Sequence, residues 1–399
     1  MSVHMPTWGS RGAMTRNASW HVVCVALLLA SSACSDGTGV SATATAAPLS
    51  GVRYLADTAS TDGFARATQS TRFSFPLDHA PHTGYRTEWW YFTGNLSDAN
   101  EARYGFELTF FRVQLTPGTA VRESALATNE VWMAHLAVTD IARQEFQTAE
   151  RLSRGAVDIT GFTTRQSIDT EVSRVGVEDF LIEFVGDSVT LSASDTGFGI
   201  ALTLTGLDRI VLQGDNGLDA KGSEPGNASY YFSAPRLSVT GQIQSAGTNP
   251  VAVSGSAWMD REWSTSALSP EIAGWDWFAL QLDDGSDLMF YRLRGHDDST
   301  SEFSGGSLTD SAGNSVRLTA SDVELIPMRN WISPATRVSY PVSWHLRVPD
   351  LDIELEIEAL LDKQELDLSV RYWEGAVAVS GNHADSPVAG VGYLELAGY

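Results

Sequence analysis

The sequence predicts an all-β protein built from two antiparallel β-barrels in tandem. Two observations lead to this fold class. From Phe73 onward, short runs alternate between apolar and polar residues, as in 353–359, where three glutamates separate Ile, Leu, Ile and Ala. Such a period of two is typical of a β-strand with one buried face and one solvated face. The second observation is an internal repeat of one aromatic hairpin, and convincing helical patterns are few.

The N-terminal residues 1–33 are predicted to be a secretory signal peptide. Arg11 and Arg16 are the only Lys, Arg, Asp or Glu residues in this segment, and they precede the apolar run 22–30 and three small residues. This order of basic, apolar and small residues is that of a signal peptide, and the apolar run is too short to cross a bilayer.

Cys34 follows the small residues directly, as the cysteine of a bacterial lipobox does, although Ser31 stands where such boxes usually have leucine. We therefore expect Cys34 to be acylated, so that a lipid anchor holds an exported protein at a periplasm-facing membrane of the cell envelope. Residues 34–69 are rich in Ser, Thr, Ala and Gly without sustained periodicity, and they are predicted to be a flexible tether.

Charge and length limit the class of protein further. Without the signal peptide, 366 residues remain, with 24 basic and 49 acidic side chains and no cysteine beyond Cys34. An intramolecular disulfide is then excluded, and nucleic acid is excluded as a partner because no basic cluster is present. The length favours two domains, which we place at 70–247 and 248–399.

The repeated hairpin relates residues 88–98 to residues 274–284 with a constant offset of 186 residues. Trp89 then matches Trp275, a phenylalanine matches three residues later, and each copy continues through a turn into an aromatic strand that ends in arginine. Two copies half the chain apart predict two similar domains, each with the size of a lipocalin-like barrel whose interior can hold one small ligand. The alternative is one large twisted sheet, which would leave edges to protect.

Sequence signatures of metal, thiol, serine-nucleophile and nucleotide sites are missing, so no cofactor and no metal are predicted. His79 and His82, which follow Asp78, form the only close histidine pair. On a strand these two positions would face opposite sides, so we interpret them as hydrogen-bonded loop residues rather than as metal ligands.

Carboxylates beside tryptophans are the strongest candidates for chemistry. An acid that shares a strand face with large apolar side chains is either paired or shifted towards its neutral form. The candidate catalytic residues are Asp276, Asp260, Glu262 and Tyr291, and the candidate ligand-binding residues are Trp89, Trp90, Arg261, Trp263, Trp275 and Trp277. One interpretation is a general acid in an aromatic-lined cavity. The other is a set of buried acid–arginine pairs that close the barrel ends. Its candidate partners are Arg112, Arg261, Arg292 and Arg294.

Several blocks between residues 70 and 399 share their residue order with a known family. The most specific are Glu88-Trp89-Trp90-Tyr91-Phe92, Ala257-Trp258-Met259-Asp260-Arg261-Glu262-Trp263 and Gly274-Trp275-Asp276-Trp277-Phe278. Others are Met133-Ala134-His135, Tyr372-Trp373-Glu374-Gly375 and Gly392-Tyr393-Leu394-Glu395. With these blocks the chain resembles the carotenoid 1,2-hydratase (hydroxyneurosporene synthase)/AttH-like family. The resemblance implies two calycin-type, lipocalin-like barrels. It also implies either hydration of a terminal double bond in acyclic carotenoids or an exported AttH-like protein encoded with an ABC transporter.

Two positions depart from the family pattern. Arg261 stands where the family usually has histidine, and an arginine with a pKa above about 12 cannot shuttle protons near neutral pH. If Tyr291 matches the family tyrosine on a later strand, Leu293 replaces an acid two residues further on. The fixed charge of Arg261 would also hold Asp260 or Glu262 ionised. We therefore expect no hydration of acyclic carotenoids.

The leading interpretation is an exported AttH-like lipoprotein that binds an apolar or amphipathic small molecule, with an ABC transporter as a candidate partner. The alternative is a hydratase- or isomerase-type enzyme, a hydro-lyase that protonates an alkene in such a ligand. Asp276 and Asp260 are then the first candidates for the acid, with Trp263, Trp275 and Tyr291 facing the developing cation. A structural or interaction protein is the third possibility.

Overall fold

The computed structural model describes residues 49–50, 61–118, 128–156, 159–167, 170–265 and 268–399. The predicted signal peptide, Cys34 and most of the predicted tether lie outside these residues. Apart from two 3₁₀ turns, Leu77–His79 and Pro349–Leu351, the regular structure of the described part is entirely β. Among the described residues, no helix has the length and apolar character needed to cross a membrane.

The described strands form two antiparallel sheets. The first sheet contains β2 (Thr87–Asp98), β3 (Arg103–Gln114), β4 (Glu130–Asp140), β5 (Glu145–Arg154), β6 (Thr160–Ser167), β7 (Thr170–Val177), β8 (Phe180–Val185), β9 (Ser188–Asp195), β10 (Phe198–Thr205), β11 (Val211–Leu212), β12 (Leu218–Ala220), β13 (Ala228–Gln244) and β14 (Val251–Ser264). The second contains β15 (Ile272–Leu282), β16 (Asp287–Gly295), β17 (Gly305–Thr309), β18 (Ser315–Thr319), β19 (Glu324–Ile332), β20 (Ser339–Val348), β21 (Ile353–Ala359), β22 (Glu365–Asp367), β23 (Val370–His383) and β24 (Ser386–Ala397). The short β1 (Leu49–Ser50) pairs in parallel with β23.

The first sheet has the order β5-β4-β3-β2-β14-β13-β10-β9-β8-β7-β6 and nearly closes into a barrel. An isolated bridge joins Ala156 to Thr160 where the edge strands β5 and β6 meet. Arg151 of β5 donates hydrogen bonds to Asp179 and Asp195, which belong to the opposite part of the sheet. These contacts protect strand edges that would otherwise be free to pair with another chain. The predicted fold class, two antiparallel barrels in tandem, is confirmed.

The polypeptide passes from the first sheet to the second after Ser264. Strand β14 pairs with β13 on one side and with β2 on the other, so it belongs to the first barrel. The boundary placed between residues 247 and 248 therefore falls inside the connection between β13 and β14. The Gly-Thr-Asn-Pro segment at 247–250 marks a hairpin turn there, not a linker between domains.

The hairpin repeat corresponds to equivalent strands. The second sheet has the order β18-β17-β16-β15-β24-β23-β21-β20-β19, so β15 lies between β16 and β24 as β2 lies between β3 and β14. Trp89 and Trp275 thus occupy equivalent strands, as predicted. Strands β2 and β15 end at Asp98 and Leu282, which are 184 residues apart in the chain, whereas Trp89 and Trp275 are 186 residues apart. Trp275 therefore lies two positions closer to the end of its strand than Trp89 does. A shift of two keeps every side chain on the same face.

Alternate side chains fill the interior of each barrel. Phe92, Phe106 and Trp132 belong to the core of the first barrel, and Phe278 and Trp344 belong to that of the second. All five are buried. Transfer of their apolar surface out of water stabilises the folded state, by roughly 1.5–3 kcal/mol for a side chain of ordinary size. The expectation that a barrel interior holds the ligand is wrong, because side chains fill both interiors. The cavity lies between the two sheets instead.

Candidate active site between the sheets

The outer faces of the two sheets enclose a cavity of about 120 Å³. One water molecule needs roughly 10–15 Å³ on this scale, so the cavity has room for on the order of ten water-sized groups. Strands β2, β3, β4, β13 and β14 supply one wall, and β15, β16, β23 and β24 supply the other. The site therefore exists only where both barrels are packed together.

Aromatic side chains form most of the cavity wall. Trp89 and Tyr91 reach it from β2, and Trp275 and Trp277 reach it from β15, because residues two apart on a strand share one face. The rings of Tyr91 and Trp277 meet edge to face, with centroids 5.1 Å apart. Leu293 lies on the same wall. Such a wall binds apolar groups and places π-faces where a cation can develop.

Two glutamates lie side by side in this wall. Glu374 of β23 and Glu395 of β24 are directly paired across the strands, and both line the cavity. The hydroxyl of Tyr91 donates to Glu374 Oε2 at 3.0 Å, and the indole Nε1 of Trp275 donates to Glu395 Oε1 at 2.9 Å. Burial raises the pKa of Glu395 to about 8. Burial, together with the charge of Glu395, raises the pKa of Glu374 well above its ordinary value.

A third acid, Glu107 of β3, lies close to this pair. It is fully buried, and neither carboxyl oxygen meets a hydrogen-bond donor in bonding geometry among the described residues. Burial raises the pKa of Glu107 well above its ordinary value, an effect that the nearby Thr109 only partly offsets. Three carboxyl groups in one apolar region cannot all be ionised near neutral pH, because like charges and desolvation both favour the neutral form.

Asp260 of β14 also lines the cavity. Its carboxylate accepts hydrogen bonds from the Tyr231 hydroxyl at 2.5 Å, from Ser233 Oγ at 2.6 Å and from Trp258 Nε1 at 2.7 Å. Burial raises the pKa of Asp260 to about 6, and these three donors limit the rise. Asp260 is therefore mostly ionised at neutral pH, unlike the glutamate pair.

A lysine and a second acid line the cavity together with Asp260. Lys221 Nζ lies 2.6 Å from Asp219 Oδ2 and 3.7 Å from Glu262 Oε1. The same amine stands 3.7 Å over the ring of Tyr291, whose hydroxyl donates to Asp219 at 2.8 Å. Burial would lower the pKa of Lys221, but the two carboxylates raise it. Burial raises the pKa of Glu262 to about 7, against the opposing effect of Lys221. The cavity thus combines acids of raised pKa with a lysine that stays protonated near neutral pH.

Six of the ten residues predicted for the site line this cavity. They are Asp260, Glu262, Tyr291, Trp89, Trp275 and Trp277. The other four, Trp90, Arg261, Trp263 and Asp276, do not line it. The division follows the strand period of two, which sends alternate side chains of one strand into the barrel and out to the cavity.

Arg261 lies inside the first barrel. Its Nη2 is 2.6 Å from Glu88 Oε1, and its guanidinium stacks 3.9 Å over the ring of Trp90. Burial alone would raise the pKa of Glu88, but Arg261 and its other partners lower it to about 2. The expectation that Arg261 holds Asp260 or Glu262 ionised is therefore wrong, because both neighbours face the opposite side of β14. Trp263 packs in the same interior, stacked on His82 with ring centroids 3.5 Å apart.

Asp276 lies on the interior face of the second sheet. Its Oδ2 is 2.6 Å from Arg292 Nε, and its Oδ1 accepts a hydrogen bond from the Tyr399 hydroxyl at 2.6 Å. Burial raises the pKa of Asp276, and Arg292 opposes that rise. Asp276 and Glu88 are thus the buried acid–arginine pairs of the second interpretation, whereas Asp260 and Glu262 fit the first.

Sequence reasoning missed both acids of the glutamate pair, and it also missed Glu107, Tyr231 and Lys221. The blocks around Tyr372-Trp373-Glu374 and Leu394-Glu395 placed each acid beside aromatic residues, which was a usable signal. Lys221 is one of two lysines in the chain. Within the described ranges, no group of three or more His, Cys, Asp or Glu side chains has the arrangement of a metal site.

The fold and the site together define a class of protein: two packed antiparallel β-barrels that share an aromatic, acid-containing cavity at their interface. The chain belongs to the AttH-like family, whose family model matches residues 66–399. The predicted resemblance is confirmed by this match. A search of the curated proteins found no match.

Solved structures show the same architecture. A crystal structure described as a putative AttH from Nitrosomonas europaea has a TM-score of 0.73 and 34% identity, and the match covers 84% of this chain and 100% of that one. Kievitone hydratase from Nectria haematococca has a TM-score of 0.59 and 15% identity, with 84% and 98% covered. CghA, solved with Sch210972, has a TM-score of 0.52 and 13% identity, with 88% and 97% covered. The last two likenesses concern the fold alone.

Proposed function

We propose that this chain is a hydro-lyase that binds an apolar or amphipathic molecule between the two sheets and adds water to one of its carbon–carbon double bonds. The observation that carries the proposal is the position of Glu374 and Glu395. These acids are paired across strands and face a cavity whose other walls are aromatic. Protonation of an alkene requires an acid that is neutral before the reaction, and an apolar site with neighbouring carboxyl groups provides one.

Glu395 is the proton donor in this mechanism. With a pKa of about 8, its protonated form exceeds its ionised form about tenfold at pH 7. The carboxyl proton forms a C–H bond with one alkene carbon as the π bond breaks, which leaves a cation on the other carbon. Trp89, Trp275 and Trp277 line the cavity around that position. Their π-faces stabilise a cation in a region from which water is largely excluded.

Glu262 is the base for the second step. A water oxygen forms a C–O bond with the cation, and the proton that it loses passes to the Glu262 carboxylate. The pKa of about 7 makes Glu262 available in its ionised form at neutral pH. Lys221, 3.7 Å away, stabilises that carboxylate without donating a proton itself, because its own pKa is raised. Acid and base are thus assigned to groups whose environments differ.

Pure ligand binding, the leading interpretation from the sequence, is the second candidate. The aromatic wall favours it equally, since an exported carrier also needs such a surface. Binding alone does not require buried acids without a cationic partner, however, and burying Glu107 and Glu374 costs free energy that a binding site could avoid with apolar residues. The two functions share the ligand and differ only in turnover.

The experiment uses the chain without its predicted signal peptide, incubated in H₂¹⁸O with geraniol as a compact alkene and with lycopene as an acyclic carotenoid. We expect geraniol to give an alcohol one water heavier that carries ¹⁸O, detected by mass spectrometry, and lycopene to give no hydrated product. Glu395→Gln should lower formation of the geraniol product at least 100-fold. The matched control is Glu356→Gln, which changes an exposed glutamate on β21.

Circular dichroism checks the fold of each variant, and Nile red fluorescence checks that the cavity still binds an apolar probe. Absence of ¹⁸O product from geraniol, with Nile red still bound, would favour the carrier. Product formation that survives Glu395→Gln would contradict the assignment of the acid.

A further inference from the structure

His135 of β4 is buried between the two sheets, and both of its ring nitrogens have partners. Nδ1 lies 2.5 Å from the hydroxyl oxygen of Tyr372, on β23 of the second sheet. Nε2 lies 3.0 Å from Glu150 Oε2, on the neighbouring strand β5 of the first sheet. His135 itself is not exposed and does not line the cavity. A buried histidine held at both nitrogens is either a structural bridge or a conductor of protons.

The two ends of this chain of hydrogen bonds open on different spaces. Tyr372 lines the cavity, where it shares one face of β23 with Glu374. Glu150 lines a depression on the protein surface together with Arg151 and Asp179, and its side chain is 21% exposed. Tyr372, His135 and Glu150 therefore connect the buried cavity with solvent through side chains alone.

We infer that Tyr372, His135 and Glu150 form a proton relay between the cavity and the surface, and that the relay restores the proton of Glu395 after each turnover. The inference rests on the proposed function, because hydration leaves Glu395 ionised and Glu262 protonated. Glu262 gives its proton to the water that enters as the product leaves, and Glu395 takes one up through the relay. A buried carboxylate that has no path to solvent regains its proton slowly, so a fixed path speeds the return of the enzyme to its starting state.

The protonation states fit a relay. Burial opposes ionisation of Glu150, but hydrogen bonds from His135 and Ser369 lower its pKa, so it is ionised at rest. Nε2 then carries the hydrogen and donates to Glu150, and Nδ1 accepts from the hydroxyl of Tyr372. A proton leaves the cavity when Tyr372 gains one on its oxygen, its own hydroxyl proton passes to Nδ1, and the Nε2 proton passes to Glu150. The inward transfer starts with the hydrogen of His135 on Nδ1 and with Glu150 protonated from solvent: the Glu150 proton passes to Nε2, the Nδ1 proton passes to the oxygen of Tyr372, and the hydroxyl proton of Tyr372 passes into the cavity. Glu150 is then ionised again, His135 and Tyr372 hold the numbers of protons they had, and His135 returns to the Nδ1 tautomer before the next inward transfer.

The remaining step of the relay joins Tyr372 to Glu395 inside the cavity. Tyr372 pairs with Ala397, two residues from Glu395 on the same face of β24. Diagonal neighbours of this kind are roughly 7–8 Å apart, so a single water molecule or a ligand hydroxyl can span the distance. The charge of Glu395 also contributes to the raised pKa of Tyr372. Tyr372 therefore stays protonated. It transfers a proton by gaining one on its oxygen as it loses its own, so it does not become an anion.

Other titratable groups face Glu395 from each element packed against it. Glu374 faces it from β23, Glu107 faces it from β3, and Asp260 and Glu262 face it from β14. Tyr372 differs from them in its contact with His135, which leads to Glu150 at the surface. Their charges set the pKa of Glu395, whereas the relay sets how fast Glu395 reaches equilibrium.

The test is a stopped-flow pH jump from 6.5 to 9 on the chain without its predicted signal peptide and without any substrate. Trp275 donates its indole hydrogen to Glu395, so its fluorescence reports the charge of that carboxyl group. Trp275→Phe should remove the signal and thereby assign it. We expect His135→Gln and Tyr372→Phe each to slow the relaxation at least tenfold, with the same fluorescence at the start and at the end.

The matched control is His345→Gln, which removes the surface histidine whose Nε2 lies 3.0 Å from Glu354. It should leave the relaxation rate unchanged. If His135→Gln does not fold, Tyr372→Phe retains the ring and its packing and carries the test. A second measurement adds imidazole to His135→Gly, which should restore the rate towards that of the unchanged protein.

Relaxation in His135→Gln and Tyr372→Phe that is as fast as in the unchanged protein would overturn the relay. So would altered end points at an unchanged rate, which would mean that His135 only sets the pKa. Because no substrate is used, a negative hydration assay leaves this result standing, and a failed relay leaves the ¹⁸O assay to decide the proposed function.

Discussion

The indole of Trp275 donates a hydrogen bond to Glu395 at 2.9 Å, across strands β15 and β24. This contact links Trp275, which belongs to a tryptophan-rich block of the sequence, to an acid more than a hundred residues later in the chain. The hydrogen bond lowers the pKa of Glu395, but burial has the larger effect and raises it. An acid that remains neutral at the aromatic wall is the feature on which the proposed chemistry depends.

Stability should fall as the pH rises from 5 to 9. The folded pKa of Glu395 is about 8, against an ordinary value of 4.5, so the folded state binds more protons than the unfolded state between these values. A raised carboxyl pKa contributes stability that is present at low pH and is lost as the pH rises through the folded pKa, by up to about 1.4 kcal/mol per pH unit. Glu262 and Asp260, raised to about 7 and about 6, act in the same direction.

Urea unfolding curves at pH 5, 7 and 9 measure this effect. Glu395→Gln should flatten the dependence and should be more stable than the unchanged protein at pH 9. A midpoint that rises with pH in the unchanged protein, or an equal slope in the variant, would contradict the raised pKa.

Asp276→Asn should destabilise the fold and spare the cavity. The substitution leaves the buried guanidinium of Arg292 without its 2.6 Å partner charge. Breaking one partner of a buried ion pair costs about 3–5 kcal/mol. We expect a large decrease in the urea midpoint, with Nile red binding and ¹⁸O incorporation retained at a temperature where the variant is folded. Loss of ¹⁸O incorporation in the folded variant would instead indicate that Asp276 takes part in catalysis.

Leu293→Trp should block the cavity. Leu293 lines it, and a larger side chain there occupies the space that a ligand would need. Overpacking of this kind costs about 1–3 kcal/mol, so the variant should still fold. We expect Nile red fluorescence to fall at least tenfold, whereas Met328→Trp, at a residue 64% exposed on β19, should leave it unchanged. Undiminished dye binding in Leu293→Trp would place the apolar site elsewhere.

Cys34 lies outside the described residues, and its acylation stays a proposal. Intact-mass analysis of protein from the membrane fraction should show Cys34 as the first residue, with the mass of acyl chains attached, because the cysteine follows an apolar run and small residues. Cys34→Ala should release the protein from the membrane. A mature N-terminus downstream of Cys34 would exclude the anchor.

The period of two made half of the site predictable. Asp260 and Glu262 could be placed on one face of a strand and Arg261 on the other, and the structure has them so. The sequence could not say which face turns inward. Arg261 was therefore linked to its neighbours in the chain, whereas its real partner, Glu88, is 173 residues away.

The glutamate pair shows why the rest was missed. Glu374 and Glu395 come together because β23 and β24 form a hairpin, and that hairpin meets β2 only when the two sheets are packed. The cavity belongs to the interface of the barrels, while sequence reasoning looked for it inside one of them. The strand pattern fixes which faces are apolar, but it does not fix which outer faces meet.

The protonation state of Glu395 decides whether the cavity contains a neutral acid. Protein labelled with ¹³C at the glutamate carboxyl carbons can be titrated from pH 5 to pH 10 by NMR, with Glu395→Gln used to assign the signal. We expect one carboxyl resonance, missing in the variant, that titrates near pH 8 and is mostly protonated at pH 7. A Glu395 signal that titrates near its ordinary value of 4.5 would show an ionised carboxylate in the cavity and contradict the proposed acid.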